Sequence, residues 1–201
     1  MRQHLLFLPA VAMLISWSPI VAQTADPQQA VVKHTSTQWT PPDERLLLAK
    51  ARQGDASSQM WLGAAYEQGW FGNANFPQAL KWFRRAAKQG DPDAQNSLGQ
   101  MYENGEGVSQ NYVLAARWYR KAAEHVPDLG GAGQGRNNLG LLYLEGLGVP
   151  KDYVQAYMWF SLSAGGKNPN LAYARERMTQ SQILEAERLV AVWKTRHGML
   201  K

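Results

Sequence analysis

Large apolar, small and polar residues recur in the same order in three stretches of the chain. Residues 59–87 read QMWLGAAYEQGWFGNANFPQALKWFRRAA, residues 95–123 read QNSLGQMYENGEGVSQNYVLAARWYRKAA, and residues 136–164 read RNNLGLLYLEGLGVPKDYVQAYMWFSLSA. The Leu-Gly pairs of the three stretches are spaced by 36 and then 41 residues, and so are the tryptophans of their second halves. A repeated period of this length predicts a stack of similar structural units.

Each unit is predicted to contain two helices, A and B. In the second unit, helix A carries Leu98, Gly99 and Tyr102, so an apolar stripe lies beside a notch that another helix can approach. Gly105 suits a left-handed C-terminal cap. Helix B is predicted to begin after a residue whose side chain accepts from free backbone amides, and these caps are Asn75, Asn111 and Asp152.

The predicted core stripe of helix B repeats in all three units. It consists of Ala79, Trp82, Phe83 and Ala86, then Ala115, Trp118, Tyr119 and Ala122, then Ala156, Trp159, Phe160 and Ser163. Because one helix pair cannot bury its apolar face alone, the units are expected to stack on one another.

These signatures resemble the Sel1-like repeat family, a class related to tetratricopeptide repeats. The shared motifs are A-x-x-x-L-G-x-x-Y in helix A and A-x-x-W-[YF]-x-x-A-A in helix B, and the resemblance covers about residues 43–198. It implies an all-α fold, a right-handed α-solenoid of helix-turn-helix repeats whose usual work is to hold other proteins. The chain looks like an exported bacterial-type member.

The register of the repeats also predicts how the chain is divided. The C-terminal capping helices are a lone helix A over Asn170–Met178 and a last helix that begins with a Thr179–Gln182 capping box and ends near Gly198. The predicted ranges are a signal peptide at 1–22, a flexible leader at 23–42, an N-terminal half-repeat helix at 43–54, repeat one at 55–90, repeat two with an inserted loop at 91–130, repeat three at 131–166 and capping helices at 167–198.

The first 22 residues have the order of a secretory signal. Arg2 precedes an apolar run, and Ala22 is a small residue at a cleavage point. A retained membrane anchor is the alternative, although proline and serine interrupt the run. The chain has no cysteine, which excludes disulfides and a lipid-modified N-terminal cysteine. We therefore expect a periplasmic or secreted protein that is not a lipoprotein and has no integral span after signal cleavage.

The net charge of +5 falls to +4 after signal cleavage, which is weak support for binding nucleic acid, and no nucleic-acid partner is expected.

The four histidines, His4, His34, His125 and His197, are scattered, so neither a metal site nor a cofactor is predicted. No nucleophile elbow or carboxylate pair stands out, and the chain is expected not to be an enzyme. A cell-wall-active or β-lactam-related hydrolase is the least favoured alternative. The family members associated with β-lactams are rich in cysteine, which this chain lacks.

A glycine-dense run, DLGGAGQGRNNLG at residues 128–140, raises the question of a phosphate-binding loop with Arg136 as its cation. Such a loop needs a preceding strand or a GxxxxGK[ST] motif, and neither is present. Aligning the Leu-Gly pairs instead places Arg136 at the position of Gln95 and an excess of five residues just before helix A of repeat three. Because this unit lacks the aspartate cap found at Asp91, its helix A is predicted to start late or to fray.

The concave face is the predicted partner-binding groove. By resemblance to tetratricopeptide-like arrays, it is lined by the variable positions of the A helices, and a peptide or helix with basic and apolar faces would suit it. A mixed solvent-facing surface is the alternative. The candidate groove residues are Met60, Ala64, Glu67, Asp93, Asn96, Gln100, Glu103, Asn137, Leu141 and Leu144.

Two further surfaces are candidates for contact. A basic patch on the B helices is either a solvated outer face whose side chains lie along aromatic residues, or a site for an acidic partner or anionic lipid head groups. Its residues are Arg84, Arg85, Lys88, Arg117, Arg120 and Lys121. The turn of repeat one carries Trp70 and Phe71, which either pack against helix B or the N-terminal cap or form an exposed contact.

The sequence therefore predicts an exported scaffold that binds one or more envelope proteins or peptides through the concave face. A periplasmic regulator of a membrane sensor, or a subunit of an envelope machine, remains the alternative.

Overall fold

The computed structural model describes residues 43–126, 130–163 and 168–199. Within those ranges the protein consists of nine helices and contains no strand. The predicted signal and leader, together with His4 and His34, lie outside the described residues. The helices are α1 (Glu44–Arg52), α2 (Ala56–Gln68), α3 (Phe76–Lys88), α4 (Pro92–Asn104), α5 (Tyr112–Ala123), α6 (Gly131–Glu145), α7 (Tyr153–Leu162), α8 (Asn170–Arg175) and α9 (Gln180–Arg196).

The three predicted helix pairs are α2 with α3, α4 with α5, and α6 with α7, and from α1 to α8 each helix packs against the next. The predicted caps of the B helices are confirmed: Asn75 accepts from the backbone N–H of Gln78, Asn111 from that of Leu114, and Asp152 from two amides of its first turn. The chain is an all-α array of helical repeats, as the periodicity predicts.

The Leu-Gly pair sets the distance between the two helices of a unit. Leu98 is fully buried, and a Cβ on Gly99 would overlap the edge of the Tyr119 ring, which packs against this glycine from helix B. The predicted notch is confirmed, because only hydrogen leaves room for an aromatic ring there. Gly105 ends α4 with a φ of 78°, in the left-handed conformation that glycine adopts without strain.

The tryptophans of the B helices are not equivalent. Trp82 and Trp159 are both 4% exposed, whereas Trp118 is only half-buried. Trp118, predicted in the core stripe, packs against the core from its edge and is only partly buried. Tyr119, which is fully buried, is the large core residue of this helix.

The C-terminal helices close the array. The capping box of Thr179 and Gln182 is confirmed, and α9 buries Ile183, Ala186 and Trp193 against the rest of the protein. It packs directly on α7. The penultimate helix is shorter than predicted, because α8 ends at Arg175 rather than near residue 178.

The first turn of α6 corrects the expectation drawn from the glycine run. The helix begins at Gly131 without a side-chain cap from its own flank, but it neither starts late nor lacks a partner. The carboxylate of Asp93, in α4, accepts from the backbone N–H of Gly131. A Cβ on Gly131 would overlap the backbone of Pro92 and Asp93, so glycine allows the two helix ends to meet. Residues 127–129 of the inserted loop lie outside the described part of the chain.

Candidate functional site: the inner face of the A helices

The A helices contact one another along the array, whereas direct contacts between successive B helices are sparse. Helix α4 packs on α6 and also touches α2. Helices α2, α4 and α6 therefore form the layer in which helices of successive repeats pack more closely on one another. We call the exposed surface of these three helices the inner face, and all ten candidate groove residues are on these helices.

In repeat one, the candidate residues are half-buried. Met60 and Ala64 pack against the core that α3 and α4 share, so they expose only part of their surface. Burial is the main cause that raises the pKa of Glu67 above its ordinary value, and the nearby carboxylate of Glu106 acts in the same direction. Glu67 is therefore an acidic group that a neighbouring cation would stabilise.

In repeat two, a fixed carboxylate stands beside an exposed amide. Glu103 accepts a hydrogen bond of 2.5 Å from the hydroxyl of the buried Tyr119. Burial, together with this carboxylate, raises the pKa of Tyr119, so the tyrosine stays a neutral donor and Glu103 stays in place. Gln100, one turn earlier on α4, is exposed.

Amide side chains join α4 to α6 and then to the start of α8. Asn138 donates to Asn96 at 3.0 Å, Asn137 donates to Asn138 at 3.3 Å, and Asn168 donates to Asn137 at 2.7 Å. Asn96 also donates to Gln134, and only 2% of its surface is exposed. Burial thus removes Asn96 from the candidate groove and makes it part of the joint between repeats two and three.

Repeat three offers less apolar surface than expected. Leu144 is 4% exposed and packs in the core with Phe160, so it does not act as a free apolar anchor. Leu141 is half-buried and is the apolar residue that remains at the inner face. Asp93, the remaining candidate, is half-buried and engaged at the start of α6, and its burial raises the pKa of its carboxyl.

The candidate basic patch lies on the opposite layer, and all six of its residues are exposed. Arg84 donates to the hydroxyl of Tyr102 at 2.9 Å, and Arg120 donates to that of Tyr143 at 2.7 Å, which is the same contact one repeat later. Two others lie over indole rings: Arg85 is 4.6 Å from the centroid of Trp82, and Lys121 is 4.4 Å from that of Trp118. These side chains do lie along aromatic residues while they remain open to solvent.

The two aromatics in the turn of repeat one pack on helix α2. Trp70 stands 6.2 Å from Trp61, and Phe71 meets the edge of Tyr66 at the same centroid distance. Both are half-buried, and Phe71 also borders the core shared with α1. Their ring partners are therefore on helix A of the same repeat, and only Phe71 also borders residues of the N-terminal helix and of helix B.

Arg136 has a function that sequence reasoning missed. It is 1% exposed and donates to three backbone carbonyls: that of Ala123 at 2.9 Å, that of His125 at 2.6 Å and that of Leu162 at 3.1 Å. Its guanidinium also stands 4.8 Å from the ring of Trp193. It therefore joins the C-terminal ends of α5 and α7 to α9 and does not point to a ligand.

A signal for this role is present in the repeat register. Gln59 donates to the carbonyl of Ala51, and Gln95 donates to that of Ala87, each three positions before the Leu of the Leu-Gly pair. Arg136 occupies the same position and bonds Ala123, which is equivalent to Ala87. A polar residue repeated at a buried position indicates a repeated hydrogen bond, and the longer Arg reaches two more acceptors.

The described residues also bear on catalysis. No group of three or more His, Asp or Glu among them is placed to hold a metal ion. His125 is hydrogen-bonded to Gln95, and His197 lies between the carbonyl of Trp193 and the carboxylate of Glu124. Neither ring contacts a serine in the described part of the chain. None of the helices found there is long and apolar enough to cross a membrane.

The sequence model of the Sel1 repeat matches residues 56–91, 92–125 and 134–168, which together are more than half of the chain. A protective antigen present in uropathogenic Escherichia coli strains, which displays an SLR fold, is similar with a TM-score of 0.67 and 34% identity over 75% of this chain and 32% of that chain. A Sel1 repeat protein from Oxalobacter formigenes is similar with a TM-score of 0.59 and 33% identity over 69% of this chain and 55% of that chain. The chain thus spans about a third of the first structure and just over half of the second. No curated protein sequence matches it.

Proposed function

Because the chain belongs to the Sel1 repeat family, whose members generally mediate protein–protein interactions, we propose that it is a non-catalytic scaffold that binds a partner protein through its inner face. The repeat array supplies a rigid surface, since successive A helices are packed on one another and joined by amide hydrogen bonds. A rigid surface loses little conformational entropy on binding, which favours its use as a docking platform.

The inner face carries two carboxylates, one of which is held in place, and they indicate both the surface and the kind of partner. Glu103 is held by Tyr119 beside the exposed Gln100, and Glu67 adds a second carboxylate one repeat earlier. A fixed carboxylate attracts a lysine or arginine without having to be ordered first. Leu141, at the position of repeat three that corresponds to Gln100, adds apolar surface. The partner segment is therefore basic, with an apolar residue on the same side.

The cell envelope is the proposed place of action. The support is the sequence of residues 1–22, which has the order of a secretory signal, and the lack of cysteine. In this setting the partner is an envelope protein or peptide. The periplasmic domain of a membrane sensor, or a subunit of an envelope machine, would bind to the same surface. The scaffold hypothesis and the regulator hypothesis therefore differ only in the identity of the partner.

The experiment that tests the surface neutralises its charge without changing its shape. The variant Glu67→Gln/Glu103→Gln keeps an acceptor for the hydroxyl of Tyr119 but removes both charges. The matched control is Glu176→Gln/Glu187→Gln, which removes two exposed charges near α8 and on α9. Tagged forms of the full chain are used to recover partners from envelope extracts, which are quantified by mass spectrometry.

We expect the inner-face variant to lose the basic partner proteins that the wild type and the control retain. Equal recovery by all three proteins, with unchanged circular dichroism, would contradict the assignment. Fractionation of the source cells tests the location separately, because recovery in the cytoplasmic fraction alone would contradict an envelope role while leaving the surface assignment intact.

A further inference from the structure

Charge is segregated between the two layers of the array. Helices α1, α3 and α5 carry three, four and three basic residues respectively, and their only acidic residue is Glu44. Helices α2, α4 and α6 carry four acidic residues, and their single basic residue is the buried Arg136. We call the exposed surface of α1, α3 and α5 the outer face.

The basic residues of the outer face recur at equivalent positions. Arg45, Lys81 and Arg117 are each separated by 36 residues, lie on three successive outer helices and are all exposed. Arg84 and Arg120 form a second set, and Arg85 and Lys121 a third. The positive charge therefore extends along the array and does not converge on one point.

No close ion pair neutralises this charge within the described part of the protein. The ion pairs there join Arg177 to Glu176, Arg188 to Glu185 and His197 to Glu124, and none of them includes a basic residue of the outer helices. Hydrogen bonds to tyrosine hydroxyls hold Arg84 and Arg120 but leave their charge in place. The face is therefore available to an anionic partner.

We propose that the outer face docks the protein on a bilayer that contains anionic phospholipids. A field of positive charge spread over several helices fits a plane of mobile phosphates better than the fixed carboxylates of a protein. Leu46 on α1 and Val113 on α5 are 49% and 48% exposed, and they supply apolar contacts beside the basic residues.

The docking would leave the proposed partner surface free, because the inner face belongs to the other layer of helices. The scaffold would then present its acidic face away from the bilayer. This inference does not depend on the identity of the inner-face partner, and either proposal can fail without the other.

Co-sedimentation of the full chain with vesicles tests the proposal. The vesicles are phosphatidylcholine alone, or phosphatidylcholine mixed with an equal amount of phosphatidylglycerol. The variant is Lys81→Glu/Arg117→Glu, and the control Arg175→Glu/Arg196→Glu makes the same change in net charge at exposed positions of α8 and α9. A milder variant, Lys81→Gln/Arg117→Gln, is included in case the charge reversal unfolds the protein. Circular dichroism checks the fold of each.

We expect the wild type and the control to bind the anionic vesicles more strongly than the neutral ones, and added salt to weaken that binding. The neutral variant Lys81→Gln/Arg117→Gln should bind anionic vesicles roughly 30-fold more weakly, the effect expected for two basic residues near such a surface, and the charge reversal should weaken binding further. Equal binding to both kinds of vesicle, or equal losses in variant and control, would overturn the proposal. Binding to a polyglutamate peptide without binding to anionic vesicles would also overturn it and would assign the face to acidic proteins.

Discussion

Repeats two and three share one motif but differ in what surrounds them. In repeat two, the outer positions Arg117 and Lys121 of α5 are exposed, whereas the equivalent positions Met158 and Leu162 of α7 are buried, and α9 packs on that helix. The repeated hydrogen bond to the backbone carbonyl near the end of the preceding B helix is donated by Gln95 in repeat two and by Arg136 in repeat three. The last repeat thus closes the array, while the middle one keeps both of its faces open for contacts.

The largest expected effect tests the closing role of Arg136. We expect Arg136→Ala to lower the free energy of unfolding by about 3–5 kcal/mol, because two buried carbonyls and one partly buried carbonyl lose their donor. Gln95→Ala removes one bond to a backbone carbonyl and the hydrogen bond with His125, and should cost less, about 1–2 kcal/mol. Urea unfolding of both variants measures the difference. Equal losses would mean that the two repeats use this position in the same way.

The second prediction compares the tryptophans of the same two repeats. Trp159→Ala should lower the free energy of unfolding by about 3–5 kcal/mol, because the ring is 4% exposed and its removal leaves a cavity. Trp118→Ala should cost less, about 1–3 kcal/mol, since that ring is half-buried. Thermal and urea melts provide the measurement. A loss at Trp118 as large as that at Trp159 would contradict the difference in burial.

A smaller effect is expected at the joint between the two repeats. Asn138→Ala leaves the side-chain oxygen of the buried Asn96 without one donor, and we expect a loss of about 1–2 kcal/mol. The matched control is Ser97→Ala at the equivalent position of repeat two, where the serine side chain makes no hydrogen bond with the described residues. The control should lose less than about 0.5 kcal/mol in urea melts. Similar losses would argue against the amide joint.

The smallest effect is a change in pH dependence. Burial raises the pKa of Glu67 in the folded state, so its contribution to stability is greatest below the ordinary pKa and is lost as pH rises through the raised value. Glu67→Gln should therefore become more stable relative to the wild type between about pH 4 and pH 7. Urea midpoints measured across this range test the sign. A difference that does not change with pH, or that changes in the opposite direction, would refute the assigned cause.

The register of the repeats, the caps of the B helices and the close approach at Gly99 follow from sequence because each depends on residues near one another in the chain. The start of α6 does not, because its cap is Asp93, which lies on a neighbouring helix. The same reason applies to Arg136, whose repeat position is evident from the sequence but whose three acceptors come from two other helices and the segment after α5.

The sequence predicts which helices carry the candidate groove residues, but it does not predict which of these side chains are exposed and which are buried. Asn96 and Leu144 occupy variable positions of helix A, as Gln100 and Leu141 do, yet the first pair is buried and the second is not. The difference arises from the neighbouring repeat and from the C-terminal helices, which pack against some of these positions. Periodicity within one helix does not reveal it.

Binding of a protein at the inner face of repeat two can be tested in cells. The most direct measurement places a photo-crosslinking amino acid at Gln100 of the full chain in the source cells, and in a second strain at Lys88 on the outer face. Both positions are exposed, so the two chains differ only in the face that is probed. We expect discrete protein adducts at position 100 that Glu67→Gln/Glu103→Gln removes, and none of these adducts at position 88. Protein adducts at position 88 alone, or adducts at position 100 that survive removal of the two charges, would contradict this expectation.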